Sequence, residues 1–272
     1  MNVRDVDTLV LGGGAIKGFA LLGAIQYLQD NNLMAGIKKM VGTSIGAIIG
    51  YLLCIGYSPV ELMVILCHNN FLDKFAQFDV INAVTGNGAA PFSIISDLIE
   101  KLTVQKIGRF LTLKDLYELS AKTLVCCTYN YTKDQVEYIS YRDHPDLPCI
   151  VALRMSANLP FLFEQFVYNG NIYIDGGIVD NVPFLQIEPD EYGLAIKLMS
   201  PKGCSSFIDR LCELIAIPVK HLEMLRFESV KQRCIMIEIN IDISILKFNL
   251  SKTEKFDLFS LGYNVLRENI NL

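Results

Sequence analysis

The chain has 272 residues, 51% of them hydrophobic and 19% charged, and a net charge of −5. That composition supports a sizeable core and excludes an intrinsically disordered chain, and the acidic balance argues against a nucleic-acid binder. A mean hydropathy of +0.35 means that a transmembrane span has to be excluded on its own evidence. The longest uncharged stretch, Val41 to Val60, is long enough to cross a bilayer. It opens on Gly42, Thr43 and Ser44, carries four glycines and closes on Ser58-Pro59. It therefore reads as a turn and a short buried helix, with no transmembrane span. The eight cysteines form no Cys-x-x-Cys pair, and the charged opening MNVRDVDTLVL lacks the apolar run of a signal peptide. Reduced thiols and a cytoplasmic location are expected.

In chain order, Thr8 to Leu11 is a short apolar strand, followed by Gly12-Gly13-Gly14-Ala15-Ile16-Lys17-Gly18 and a helix over Phe19 to Asn31. Ile37 to Val41 is a second strand and Ile45 to Ile55 a buried helix. Ser58 caps a further helix with Pro59 at its first position. Asn69 to Pro91, with Thr85-Gly86-Asn87-Gly88, reads as a mobile loop or lid. Helices return at Phe92 to Leu102 and Thr112 to Leu119. Leu124 to Tyr129 and Val136 to Ser140 form a hairpin around Asn130 to Asp134. Leu147 to Ala157 is helical, Ile172 to Ile174 and Leu194 to Leu198 are strands, and Phe207 to Val230 is a long helix containing Pro218. Ile235 to Ile239 is β-like and Lys255 to Asn269 a last helix. Strands that alternate with helices, and that lack a polar face, predict a central, largely parallel sheet covered on both sides. One domain over 1–272 is expected, with its motifs at about 8–200 and with 201–272 as a helical and β segment of the same domain.

Three features carry chemistry. A strand, a glycine-rich turn and a helix make an anion site from unpaired backbone N–H groups. A dinucleotide phosphate site needs Gly-x-Gly-x-x-Gly and an acid at the end of the second strand. Neither frame from Gly12 or Gly13 fits, and that strand ends in Val41-Gly42. The alternatives are an oxyanion hole built from Gly12, Gly13, Gly14, Ala15 and Gly18, or a plain packing turn. Next, Gly42-Thr43-Ser44-Ile45-Gly46 fits Gly-x-Ser-x-Gly between a strand and a helix, the setting of a nucleophile elbow. The alternative is a serine that caps the helix. Third, Asp175-Gly176-Gly177 ends an apolar strand, where a carboxylate would share Ser44's sheet edge and accept its proton or orient the group that does; the alternative, favoured for such a tripeptide on its own, is a plain turn. Asp180-Asn181-Val182-Pro183 reads as turn and cap chemistry.

In this order the features resemble the patatin-like phospholipase family, over roughly residues 8 to 200. Gly12 to Gly18 resembles the oxyanion loop, Gly42 to Gly46 the elbow and Asp175-Gly176-Gly177 the aspartate motif. Arg154-Met155-Ser156-Ala157-Asn158-Leu159-Pro160-Phe161 is similar to the segment that precedes the aspartate. Ala15 departs from the glycine of many relatives. The resemblance implies a three-layer α/β/α fold and a Ser44–Asp175 dyad without histidine. It also implies hydrolysis of lipid carboxylic esters through an acyl-serine, with lipid met peripherally at a membrane or micelle surface. Lys17 could approach the lipid phosphate, or equally form a salt bridge or stay solvated.

Two rivals stay open. Ser44, Asp175 and His221 follow the chain order of an α/β-hydrolase triad, although His221 falls inside a helical pattern. A lipid-binding module without turnover would keep the same fold. No His, Cys, Asp and Glu cluster has metal-ligand spacing, so neither cofactor nor metal is expected.

Overall fold

The computed structural model describes residues 2–68, 88–200, 207–243, 247 and 249–270. Most of the expected lid segment, 69–87, lies outside the described residues. The first half of the chain forms β1 (Thr8–Leu11), α1 (Gly18–Asp30), β2 (Lys39–Thr43), α2 (Ile45–Cys54), α3 (Pro59–His68), α4 (Ser93–Ile107) and α5 (Leu113–Ser120). Then come β3 (Thr123–Asn130), β4 (Gln135–Ile139), α6 (Cys149–Ala157), β5 (Phe166–Tyr168) and β6 (Asn171–Asp175). The last elements are β7 (Gly193–Met199), α7 (Phe207–Val230), β8 (Cys234–Asn240) and α8 (Lys252–Asn269).

The strands make one sheet in the order β5-β6-β3-β2-β1-β7-β8, with β4 also on β3. Strands β3, β2, β1, β7 and β8 are mutually parallel, whereas β4 and β6 pair antiparallel with β3, and β5 antiparallel with β6. Successive strand residues face opposite sides. Leu9, Leu11, Met40, Leu124 and Ile196 join the larger core under α1 to α6 and α8. Val10, Val41, Val125 and Ala195 join a smaller core with Val182, Phe184 and Val230, against which Phe227 of α7 packs. Helices thus cover both faces, the three-layer α/β/α arrangement, and each fully buried Val or Leu contributes roughly 1.5–3 kcal/mol.

The C-terminal residues complete these layers. β8 pairs with β7 from Gly193↔Cys234 to Met199↔Asn240. Helix α8 lies on α1, where Tyr27 and Tyr263 meet edge to face at 5.4 Å and Tyr263 Oη donates to Asp30 Oδ2 at 3.1 Å. Helix α7 docks through buried ion pairs, Glu223 to Lys197 at 2.8 Å and Arg226 to Asp180 at 2.8 Å. Among the described residues no single helix is long and apolar enough to cross a membrane; α2 and α3 together would be, but they are bent by 118°. The described cysteines are free and buried.

Candidate active site

The turn from β2 into α2 holds Ser44 at φ 56°, ψ −124°. A non-glycine residue there stores about 1–3 kcal/mol of backbone strain, and such strain collects at functional sites. The tight approach explains the flanking glycines. A Cβ on Gly42 would stand 2.4 Å from the Ala47 backbone, and one on Gly46 2.2 Å from Leu11 O. Ser44 makes no side-chain cap on α2, so the helix-cap alternative fails. Its N–H donates to Ser156 Oγ at 3.0 Å.

Asp175 is buried, at 4% exposure. Burial pushes its carboxyl up to about 6, against opposing hydrogen bonds from the Ser44 side chain and the Gly177 N–H. The latter is 2.7 Å from Oδ1. An acid near 6 is poised to accept a proton at neutral pH. The expected carboxylate beside Ser44 is present, but it arrives on a strand that runs against its neighbour β3.

The segment that precedes the aspartate buckles the two motifs together. Ser156 holds the Ser44 N–H, the Asn158 carbonyl accepts the Asp175 N–H at 3.0 Å, and Thr128 Oγ1 bonds to Met155 O at 2.8 Å and Ile174 O at 3.0 Å.

The glycine loop offers fewer donors than its composition suggests. The Gly12 N–H goes to Ile196 O at 3.0 Å, the Gly13 N–H to Asn181 Oδ1 at 3.1 Å, and the Gly18 N–H to Ala15 O. Among the described residues the N–H groups of Gly14 and Ala15 have no protein partner, and Ala15 adopts a left-handed φ of 46°. These two are the loop N–H groups left open among the five residues Gly12, Gly13, Gly14, Ala15 and Gly18. Lys17 also departs from expectation. It is 1% exposed, and its ammonium donates to Ser200 Oγ at 2.5 Å and to Met199 O and Ile241 O at 3.3 Å. A buried amine committed to the ends of β7 and β8 is not presented to a phosphate.

Asp180 closes a turn, its N–H donating to Gly176 O at 2.8 Å, and its side chain is a buried anchor rather than a cap. Tyr138 Oη donates to Oδ2 at 2.6 Å, and its carbonyl accepts from Thr43 Oγ1 at 3.2 Å. His221 lies exposed on α7 and His68 bonds to Val64 O, and none of the three histidines hydrogen-bonds to Ser44 or Asp175. Among the described residues no group of three His, Cys, Asp or Glu is placed to hold a metal.

A cavity of about 140 Å³ opens beside Ser44, lined among others by Ala15, Ile48, Leu62, Leu98, Leu102 and Phe163. Among the described residues Ser44 carries the only polar side chain in that lining.

The patatin-like phospholipase family model matches residues 9–187. The chain belongs to that family. The probable lipid hydrolase 463L of Invertebrate iridescent virus 6 is 36% identical over 188 residues, covering 67% of this patatin-like chain and 63% of its own length. Lysophospholipase NTE1 of Candida glabrata is 26% identical over 188 residues, 66% of this chain and 10% of its own length. The match therefore spans less than two thirds of either relative. The crystal structure of VipD from Legionella pneumophila superposes with a TM-score of 0.63 over 98% of this chain and 67% of that one, at 16% identity. That likeness is one of fold.

Proposed function

We propose that the protein is a metal-independent serine acyl hydrolase that cleaves carboxylic esters of phospholipids or related lipids. The observation that carries this reading is Ser44, backed by Asp175, as the one polar side chain among the described residues that line an apolar cavity. A dry cavity of about 150 Å³ holds a benzene molecule, so this one takes several carbons of a single acyl chain. The names of the viral lipid hydrolase and the yeast lysophospholipase support the same substrate class.

In the proposed reaction the ester carbonyl lies against the Gly14 and Ala15 N–H groups. Asp175 takes the Ser44 proton as Oγ forms a bond to the carbonyl carbon. The tetrahedral oxyanion collapses, the C–O bond to the alcohol breaks, and Asp175 returns the proton to the departing oxygen. Water then attacks the acyl-serine as Asp175 takes one of its protons; the second tetrahedral oxyanion collapses, the C–Oγ bond breaks, and Asp175 returns the proton to Oγ, releasing the fatty acid and restoring Ser44. A carboxylate is a weak base for a hydroxyl. Position, the α2 N-terminus and the preorganised N–H donors therefore supply most of the acceleration. Lipid is met at a membrane or micelle surface, with the protein peripheral and cytoplasmic, a placement that the free thiols support. The test is release of fatty acid from p-nitrophenyl butyrate and from lysophosphatidylcholine micelles. Labelling by a fluorophosphonate should map to Ser44, and Ser44→Ala is the control.

A further inference from the structure

We propose that Asn181 is a positioning residue for the glycine loop: it clamps the Gly13–Gly14 peptide in the orientation that leaves the Gly14 N–H free for the oxyanion. The inference rests on the hydrolase reading above. Asn181 contacts both ends of Gly13. Its Oδ1 accepts the Gly13 N–H at 3.1 Å, its backbone carbonyl lies 3.4 Å from the same nitrogen, and its Nδ2 donates to Gly13 O at 3.5 Å. In a planar trans peptide the carbonyl and the following N–H point to opposite sides. Holding Gly13 C=O toward Asn181 therefore turns the Gly14 N–H away from it. That N–H is one of the two loop donors without a protein partner among the described residues. Two adjacent glycines resist a peptide flip poorly on their own, so an outside clamp has work to do here.

The clamp stands where it can align donor, nucleophile and base. A Cβ added to Gly13 would lie 2.6 Å from Asn181 Oδ1 and 3.2 Å from Ser44 Cβ, and one on Gly177 would lie 2.9 Å from the same Oδ1. Its foundation is fixed. The preceding Asp180 is held by Tyr138 and Arg226 and takes the Thr43 hydroxyl on its carbonyl, and the following Val182 is fully buried.

The experiment compares the full chain with Asn181→Ala and Asn181→Asp, using p-nitrophenyl butyrate, inactivation by a fluorophosphonate, inhibition by the product butyrate, and melting temperature. Losing one oxyanion donor lowers kcat by about 100- to 1,000-fold. Asn181→Ala is expected to show that loss with KM and butyrate inhibition within about threefold of the parent, because only transition-state binding is affected. Fluorophosphonate inactivation, which passes through a charged five-coordinate state, should slow by the same factor. Asn181→Asp keeps an acceptor for the Gly13 N–H but has no donor for Gly13 C=O, so it should fall as far. Parent-like kcat in Asn181→Ala overturns the inference, as does recovery in Asn181→Asp. Unfolding of both variants, or equal losses in kcat and butyrate binding, assigns Asn181 a structural role instead. A parent whose Ser44 the fluorophosphonate does not label removes the hydrolase reading and the inference together. A labelled parent with an unimpaired Asn181→Ala removes the inference alone.

Discussion

Asp175 stands opposite Thr128 in the antiparallel pairing of β6 with β3, one residue beyond the Cys127 that pairs with Thr43 in the parallel register of β3 and β2. Two registers of opposite sense therefore meet at one level. The last residue of β6 arrives beside the first residue after β2, which is Ser44. A one-residue slip in either pairing would turn the carboxylate to the other face of the sheet. The Thr128 hydroxyl, bonded to Met155 O and Ile174 O, ties that level to α6.

Ser44→Ala should lower ester hydrolysis by ~10⁴–10⁶-fold while the melting temperature stays within a few degrees, since the hydroxyl makes no helix cap. Ser44→Gly should be equally inactive yet more stable by about 1–2 kcal/mol, because glycine adopts φ 56° without strain. Thermal melts and turnover of p-nitrophenyl butyrate check both. Residual activity above a hundredth of the parent would count against Ser44 as nucleophile.

Much of this was legible in local sequence, because each strand–glycine–helix unit announces itself by apolar runs and breakers. Phe207 to Val230 is helical over the full expected span, Pro218 included. The β5–β6 hairpin escaped periodicity because β5 has only three residues, with Val167 exposed between the half-buried Phe166 and Tyr168. Its signal was the dipeptide Asn169-Gly170, both at positive φ (48° and 77°), which is a tight-hairpin turn. Without that hairpin the direction of β6 could not be read. Which loop N–H groups are occupied was equally hidden. Asn181 and Ile196 are far from the loop in sequence, and no local pattern reports a hydrogen bond formed only in the folded sheet.

The acid limb of kcat/KM should lie near pH 6. Asp175 must be ionised to take the serine proton, and burial lifts its carboxyl to about 6 against the Ser44 and Gly177 hydrogen bonds. Activity should fall tenfold per pH unit below that point. A limb near 4, the range of an exposed aspartate, would show that the carboxylate is not desolvated in the working enzyme.

Asp175→Asn should abolish activity and raise stability at pH 7–8. The native carboxyl binds its proton more tightly than the unfolded one, so between about pH 4 and 6 the native state keeps a proton that the unfolded state has released. Stability falls as pH rises through that window, and a cost of roughly 3 kcal/mol applies in full above it. The asparagine variant escapes this cost. Its melting temperature should exceed the parent's by several degrees at pH 8, and the two should converge below pH 4. A variant less stable than the parent at pH 8 would contradict the burial argument.

His221→Ala should keep turnover within roughly tenfold of the parent, because His221 is exposed on α7 and does not hydrogen-bond to Ser44 or Asp175. A folded His221→Ala protein as inactive as Ser44→Ala would instead favour a three-residue triad.

Chain-length preference should follow the cavity wall. Leu102 on α4 is 3% exposed and Leu98 is half-buried, and both line the cavity beside Ser44. Each methylene that finds a place there contributes about 0.8 kcal/mol, or about fourfold in kcat/KM. Leu98→Trp adds bulk to the cavity lining, so it should lower the octanoate-to-butyrate ratio of kcat/KM by about fourfold for each methylene displaced. Leu102→Ala enlarges the cavity and should raise the ratio, at a stability cost of about 2–5 kcal/mol. Ratios for p-nitrophenyl esters from butyrate to decanoate decide the matter, because a general loss of active protein cancels from them. An unchanged ratio in both folded variants would mean that the acyl chain lies elsewhere.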